Sequence, residues 1–148
     1  MRKRLTTVFL GAGAATLLLG SCQRDDPEPS APLLNTRWAL QQIDTTPLAV
    51  SSYSHDYNSY IQFAGAGNQV QGLAACDALQ GQFTLSADTK RLTISQLSVS
   101  QSTCPSPYVS NRYLTALPQT VRYEISRDTL RLYDAQLARP RLVFKAAP

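Results

Sequence analysis

The stretch from residue 69 to residue 83 constrains the fold most, because it places two strand-like segments on either side of a turn of small residues. Val70 supplies an apolar position before the turn, and Phe83 supplies one after it. Residues 74–77 are small or short, which is typical of a tight connection. Cys76 lies inside that connection. The stretch therefore predicts two paired strands with a cysteine in the turn between them.

Several other short segments alternate apolar and polar residues, as a strand with one buried face does. They cover residues 37–43, 60–63, 91–94, 121–125, 130–132 and 142–144. Trp38 and Leu40 share one face of the first segment, and residues 65–68 form a turn. Residues 44–58 are polar, contain Pro47 and are predicted to form a long loop. In total, the sequence predicts seven or eight short strands.

One segment after residue 105 changes to the helical period. Ser106 can cap a helix, Pro107 suits its first position, and Pro118 stops it. The predicted apolar face consists of Val109, Tyr113, Leu114 and Leu117. A single helix among short strands predicts a mainly β (α+β minor) domain. Its expected form is a partly open antiparallel β-barrel, with the helix packed across one opening.

The N-terminus has the pattern of a bacterial lipoprotein signal. Residues 2–4 are basic and residues 8–19 are apolar, too short a run to span a bilayer as a stable helix. Residues 19–22 then resemble a lipobox, which implies cleavage after residue 21 and lipidation of Cys22 with palmitate-type acyl chains. The alternative is an ordinary secretory signal with an incidental cysteine.

Residues 22–34 are predicted to form an acidic, proline-rich linker, and residues 35–148 a single domain. The linker resembles surface-export signals of lipoproteins in the Bacteroides group; the alternative is a plain solvated spacer. These features predict an outer-membrane protein that is lipid-anchored and either periplasmic or surface-exposed. From Cys22 onward the chain has eleven basic and ten acidic side chains, which gives no electrostatic case for nucleic acid.

The order of these signals resembles a META domain, the family of HslJ-type heat-shock lipoproteins. The resemblance covers about residues 35–145. The matching segments are the Trp38-x-Leu40 strand, residues 72–83, residues 102–104 and the Leu130-x-Leu132 strand. The family usually has Gly-Cys-Asn where this chain has Ala75-Cys76-Asp77, so Ala75 costs backbone freedom if the turn needs a positive φ.

The resemblance implies an envelope domain with a helix-interrupted barrel, a paired disulfide and no established catalysis. With Cys22 lipidated, Cys76 and Cys104 are the remaining thiols of an exported chain, and we predict that they pair. The alternative is two free, buried thiols. Related barrels include a secretion pilotin that holds an acyl chain, so an apolar cavity is one expectation.

The residues that carry chemistry do not form a recognisable catalytic set. His55 is the only histidine and lies in the predicted loop, and the carboxylates are scattered. We therefore predict no metal site, no cofactor and no enzyme activity. The tyrosines near the loop and helix are predicted either to pack at the barrel rim or to grip a sugar or peptide. They are Tyr53, Tyr57, Tyr60, Tyr108 and Tyr113.

Three functions remain open at this point. The first is a non-enzymatic, lipid-anchored envelope protein with a structural, stress-related or ligand-binding role. The second is a partner-binding lipoprotein, such as a secretion pilotin or an inhibitor of a hydrolase. The third is an enzyme of unrecognised type. An apolar ligand and a protein partner are both compatible with the sequence, and the membrane is contacted through Cys22.

Overall fold

Alternating burial along short segments gives nine antiparallel strands and one α-helix in the part of the chain that the structure describes. The structure is a computed structural model and describes residues 29–48, 59–100, 107–136 and 138–147. The strands are β1 (Arg37–Ile43), β2 (Thr46–Pro47), β3 (Tyr60–Phe63), β4 (Gln69–Ala74), β5 (Asp77–Ser86), β6 (Arg91–Val99), β7 (Arg122–Ser126), β8 (Thr129–Tyr133) and β9 (Leu142–Ala146). Helix α1 spans Pro107–Ala116, and a 3-10 turn spans Leu117–Gln119.

The extra strand relative to the predicted seven or eight is β2, which falls in the predicted loop. Asp44 has a φ of 53°, which reverses the chain directly after β1. Ile43 then pairs with Thr46 across a tight turn. The prediction of a loop from residue 44 is therefore wrong at its start, because a short polar residue such as Asp tolerates this left-handed conformation.

The strands form one sheet in the order β2-β1-β3-β4-β5-β6-β7-β8-β9, and β1 also pairs with β9. This pairing of the first long strand with the last closes the sheet into a ring. The ring is weakest between β6 and β7, where only Arg91 and Arg122 are paired in register. The predicted fold, a mainly β and partly open antiparallel barrel with one helix, is confirmed.

The interior of the ring is filled with side chains from all sides. Trp38, Ile61 and Phe144 are fully buried, and the rings of Phe63 and Phe83 meet edge to face with centroids 5.2 Å apart. Edge-to-face contact is a favourable arrangement for two aromatic rings. Buried residues from strands all around the sheet form one cluster, so these strands share one core.

Helix α1 covers one end of the barrel, as predicted. Of the predicted apolar face, Tyr113 and Leu117 are fully buried, whereas Val109 and Leu114 are partly buried and pack against the core. Ser110 and Ala116 are buried as well. The buried face is therefore wider than predicted, because the small side chains of Ser110 and Ala116 let the helix lie close against the strands.

The helix marks what we call the helix end of the barrel, which also carries Asp44 and the β4–β5 turn. At that turn Ala75 has a φ of 54°, so the turn does need a positive φ and Ala75 adopts it without a glycine. The Ala75 backbone N–H donates to Ser59 Oγ at 2.8 Å. This buried hydrogen bond holds the strained turn in place.

The opposite end, which we call the hairpin end, carries the β7–β8 turn and residues 29–35. The N–H of Ala31 donates to the carbonyl of Arg127 at 2.8 Å, and the N–H of Asn35 donates to that of Phe63 at 2.7 Å. Leu33, which belongs to the predicted linker, is buried in the core. The N-terminal segment thus packs onto the barrel several residues before β1. None of the described helices has the length and apolar character that a membrane crossing requires.

Candidate functional site

An open groove lies at the helix end of the barrel, and several charged side chains line it. Its volume is about 400 Å³. The turn after β1 supplies Asp44, and the connection from β8 to β9 supplies Asp134, Arg139 and Arg141. These segments meet because β1 and β9 pair as far as Ile43 and Leu142, which brings residues 44 and 141 side by side.

Asp44 stands at the centre of an ion-pair network. Arg112 on α1 donates from Nη2 to Asp44 Oδ2 at 2.6 Å, and Arg141 donates from Nε to Asp44 Oδ1. Arg141 also donates to Asp134 Oδ2 at 3.0 Å and to Gln119 Oε1 at 3.2 Å. The network therefore links the helix, the 3-10 turn and both connections around the groove.

The ion pairs of the groove keep Asp44 and Arg141 charged. Partial burial raises the pKa of Asp44, but hydrogen bonds and attraction from Arg112 and Arg141 outweigh burial and leave the pKa below its ordinary value. Hydrogen bonding to Asp134 and Asp44 raises the pKa of Arg141. A carboxyl group that stays charged at neutral pH does not serve as a proton donor there.

Tyr108 extends this charged region onto the outer face of the helix. Its side chain is 64% exposed, more than that of any other large hydrophobic residue among those described. Arg112 donates from Nη1 to the Tyr108 hydroxyl at 2.8 Å and lies 5.3 Å from the ring centroid. The contact with Arg112 therefore fixes the orientation of the Tyr108 side chain beside the ion-pair network, where it can contact a bound molecule.

The other tyrosines divide between packing and exposure. Tyr113 plugs the barrel, and its hydroxyl donates to the carbonyl of Tyr60 at 3.2 Å. Burial and then the proximity of Tyr60 raise the pKa of Tyr113 well above its ordinary value. The Tyr60 ring is covered by the Arg37 guanidinium at 3.9 Å. For Tyr60 and Tyr113, the packing alternative applies; Tyr53 and Tyr57 lie outside the described residues.

The cysteine predictions depend on residues that are only partly described. Cys76 is half-buried at the turn between β4 and β5. Cys22, the predicted lipidation site, and Cys104 lie outside the described residues, as does His55. The pairing of Cys76 with Cys104 and the lipidation of Cys22 therefore stay predictions. Across the described segments, no three His, Cys, Asp or Glu side chains cluster as metal ligands would.

The charged groove escaped the sequence analysis, which treated the carboxylates as scattered. Asp44 and Arg141 are 97 positions apart, and no local pattern links them. The pairing of the first long strand with the last would have been the only signal, because it places their flanking turns together. The sequence analysis did identify residues 44–58 as polar, but not the contact of Asp44 with Arg141.

A ring-like antiparallel sheet with one plugging helix defines a class of small helix-interrupted barrels. Two structures solved by NMR have this fold. One, from Burkholderia xenovorans, shares 21% identity with a TM-score of 0.58 and covers 84% of this chain and 97% of its own. The other shares 20% identity with a TM-score of 0.56 and covers 77% and 91%. At this identity the likeness establishes the fold alone.

The family follows from the sequence match. The META domain model matches residues 31–147, and the chain therefore belongs to the META domain family. This confirms the resemblance inferred from residues 35–145 and extends it to residue 31, where the packed N-terminal segment begins. Comparison with curated proteins gives no significant match.

Proposed function

We propose that this META-domain protein is a non-enzymatic, lipid-anchored protein of the bacterial outer envelope that binds its ligand on the barrel surface. The observation that carries the proposal is the docked N-terminal segment at the hairpin end. The N–H of Arg127 bonds Ser30 Oγ at 3.3 Å, and the bond from Ala31 lies beside it. These two hydrogen bonds fix the point where the chain enters the barrel at the hairpin end.

The docked N-terminal segment determines which end of an anchored domain would face the membrane. Six residues lie between Cys22 and Pro29, and at full extension the seven Cα-to-Cα steps between these two residues reach about 25 Å. A lipid on Cys22 would hold the hairpin end within that distance of the membrane. The helix end, with its charged groove and Tyr108, would face away from the lipid and remain accessible.

A surface role is also supported by the packed interior. Trp38, Tyr113 and Phe144 occupy the space inside the ring, where an internal apolar ligand would have to sit. The charged groove supports binding rather than catalysis, because its carboxylates are neutralised by arginines. An envelope protein that recognises ligands or partners outside its barrel fits both observations.

The anchor is tested by detergent phase separation of the protein expressed in a bacterial host. We expect the native protein in the detergent phase and Cys22→Ser in the aqueous phase, because each buried CH₂ of an acyl chain is worth about 0.8 kcal/mol. Cys76→Ser is the control and should still enter the detergent phase. Native protein in the aqueous phase would contradict the anchor.

The disulfide between Cys76 and Cys104 belongs to the same proposal. Ser110 Oγ donates to Asp77 Oδ2 at 3.0 Å, so the first turns of α1 lie against the β4–β5 turn. Cys104 precedes Pro107 by three residues, a reach of about 10 Å. Thiol labelling of denatured, non-reduced protein should find neither cysteine free, and two labelled cysteines would refute the pair.

One observation favours the alternative of a partner-binding lipoprotein, such as a pilotin or a hydrolase inhibitor. Tyr108 and Arg139 are exposed at the helix end, and aromatic and arginine side chains are enriched at protein interfaces. A photo-crosslinker in place of Tyr108 in living cells would distinguish the partner-binding lipoprotein from the ligand-binding envelope protein. A discrete crosslinked protein would support this alternative, and the same crosslinker at Asp88 is the control.

A further inference from the structure

The outward surface of β3 to β6 is covered by amide side chains, and we call it the glutamine face. It consists of Gln62, Gln69, Gln71, Gln80, Gln82 and Gln96. The register aligns them in rows: Gln62 pairs with Gln71, Gln71 with Gln80, and Gln80 with Ser98. A second row joins Gln69 to Gln82 and then to Ser95.

The centre of this face holds no charge. The groove along it has a volume of about 310 Å³, and its lining contains glutamines, Ser98 and small or apolar residues without any acidic or basic side chain. Solvent exposure does not impose this composition, since the outward surface of β7 to β9 in the same barrel uses Arg122, Glu124 and Lys145. A polar surface without charge matches a polar ligand without charge.

A bulge shapes the face into a groove. The pairing of β5 with β6 shifts between Gln80 and Gln82, and Gln96 on the opposite strand has a φ of 52°. A Cβ at Gly81 would lie 2.8 Å from the carbonyl oxygen of Ser95, so only glycine lets the two strands approach here. Bulges bend a strand and increase its twist, which makes the surface concave.

The amides in this groove are available to a ligand. The Gln71 amide contacts Gln62 Oε1 at 3.5 Å, and Gln62 Nε2 donates to the carbonyl of Asn35 at 3.3 Å. Elsewhere in the face, the amides of Gln80, Gln82 and Gln96 point to solvent with no protein partner among the described residues. Each amide offers both a donor and an acceptor.

The geometry points to a neutral polysaccharide as the ligand of the glutamine face. Sugar hydroxyls both donate and accept, as amides do, and neighbouring strands present the amides about 4.8 Å apart, close to the repeat of an extended sugar chain. A peptide would need apolar anchors, but Leu85, Val99 and Tyr108, the exposed large hydrophobic residues among those described, do not line the groove. The supply of such a polymer rests on the proposed envelope location, whereas the binding itself does not.

The test is calorimetric titration of the full-length mature protein in detergent with cellohexaose, maltohexaose and mannohexaose. We expect at least one of them to bind and Gln71→Ala with Gln80→Ala to weaken that binding about tenfold through the lost hydrogen bonds. Arg131→Gln, on the opposite surface, is the matched control and should bind as the native protein does. Because the titration needs no membrane, its result is independent of the phase-separation test of the anchor.

Three outcomes would overturn the inference. The first is the absence of binding to all three hexasaccharides. The second is binding that stays at native strength in the variant with Gln71→Ala and Gln80→Ala, while the far-UV circular dichroism of that variant shows a folded domain. The third is concentration-dependent self-association that Gln80→Lys abolishes, which would make the face a contact between copies of this chain.

Discussion

The two sides of the barrel face the same solvent with different chemistry. On β7 to β9, Arg122 bonds Glu124, the Tyr133 hydroxyl donates to Glu124 at 2.8 Å, and Lys145 pairs with Asp128 at 3.2 Å. At the centre of β3 to β6, amides and hydroxyls replace these charges. Both surfaces cover the same core, so burial determines only that the outward positions are polar, and the kind of polarity is left for function to select.

The charged and uncharged sides share one core. The substitution with the largest expected effect on the free energy of unfolding lies in that core, where the two sides meet. Leu117 is fully buried in the 3-10 turn that packs on β6. Leu117→Ala should lower the free energy of unfolding by about 2–5 kcal/mol through lost contacts and a cavity. Leu114→Ala, at a half-buried position, should cost about 1 kcal/mol, and equal losses in urea denaturation would contradict this difference in burial between Leu117 and Leu114.

The next largest effect tests whether the uncharged side depends on close strand packing. A Cβ at Gly72 would lie 2.2 Å from the carbonyl oxygen of Tyr60, a backbone atom that cannot move without separating β3 from β4. Gly72→Ala should therefore cost about 2–3 kcal/mol. At Gly65 the nearest atom is the Asn35 side-chain amide at 3.1 Å, so Gly65→Ala should cost less than about 1 kcal/mol. A thermal melt of both variants measures the difference.

On the charged side, Asp44→Asn should lower stability by about 1–2 kcal/mol at neutral pH, because two arginines lose a charged partner that is partly exposed. The folded-state pKa of Asp44 lies below its ordinary 3.8. Its contribution is therefore complete above pH 3.8 and is lost as the pH falls below that value. Native and variant stabilities should converge in acid, and a constant difference at low pH would refute the network. Asp88→Asn, in an exposed turn, is the control.

The smallest effect distinguishes function from folding on the glutamine face. Gln80→Lys should change the free energy of unfolding by less than about 0.5 kcal/mol, since the position is exposed and the fold does not need the amide. Chemical denaturation measures this value. A loss above 1 kcal/mol would mean that the amides stabilise the sheet and would remove the comparison on which the glycan inference rests.

The predictions from sequence were most accurate where a local period carried the information. Alternation at Trp38 and Leu40, and at Leu92 and Ile94, predicted buried strand faces, and all four side chains are buried. Pro107 predicted the start of α1. The helix face was less complete, because the polar Ser110 is also buried where the helix lies close to the strands, and an apolar period does not predict that.

What the sequence determined alone is the β-rich domain, its single helix and its META-type order of signals, since these depend on neighbours in the chain. Tertiary structure alone decided the two surfaces. The groove around Asp44 exists because β1 pairs with β9, and the rows of the glutamine face exist because three registers align. Such contacts join positions tens of residues apart, and a one-residue change of register would move every side chain to the other face.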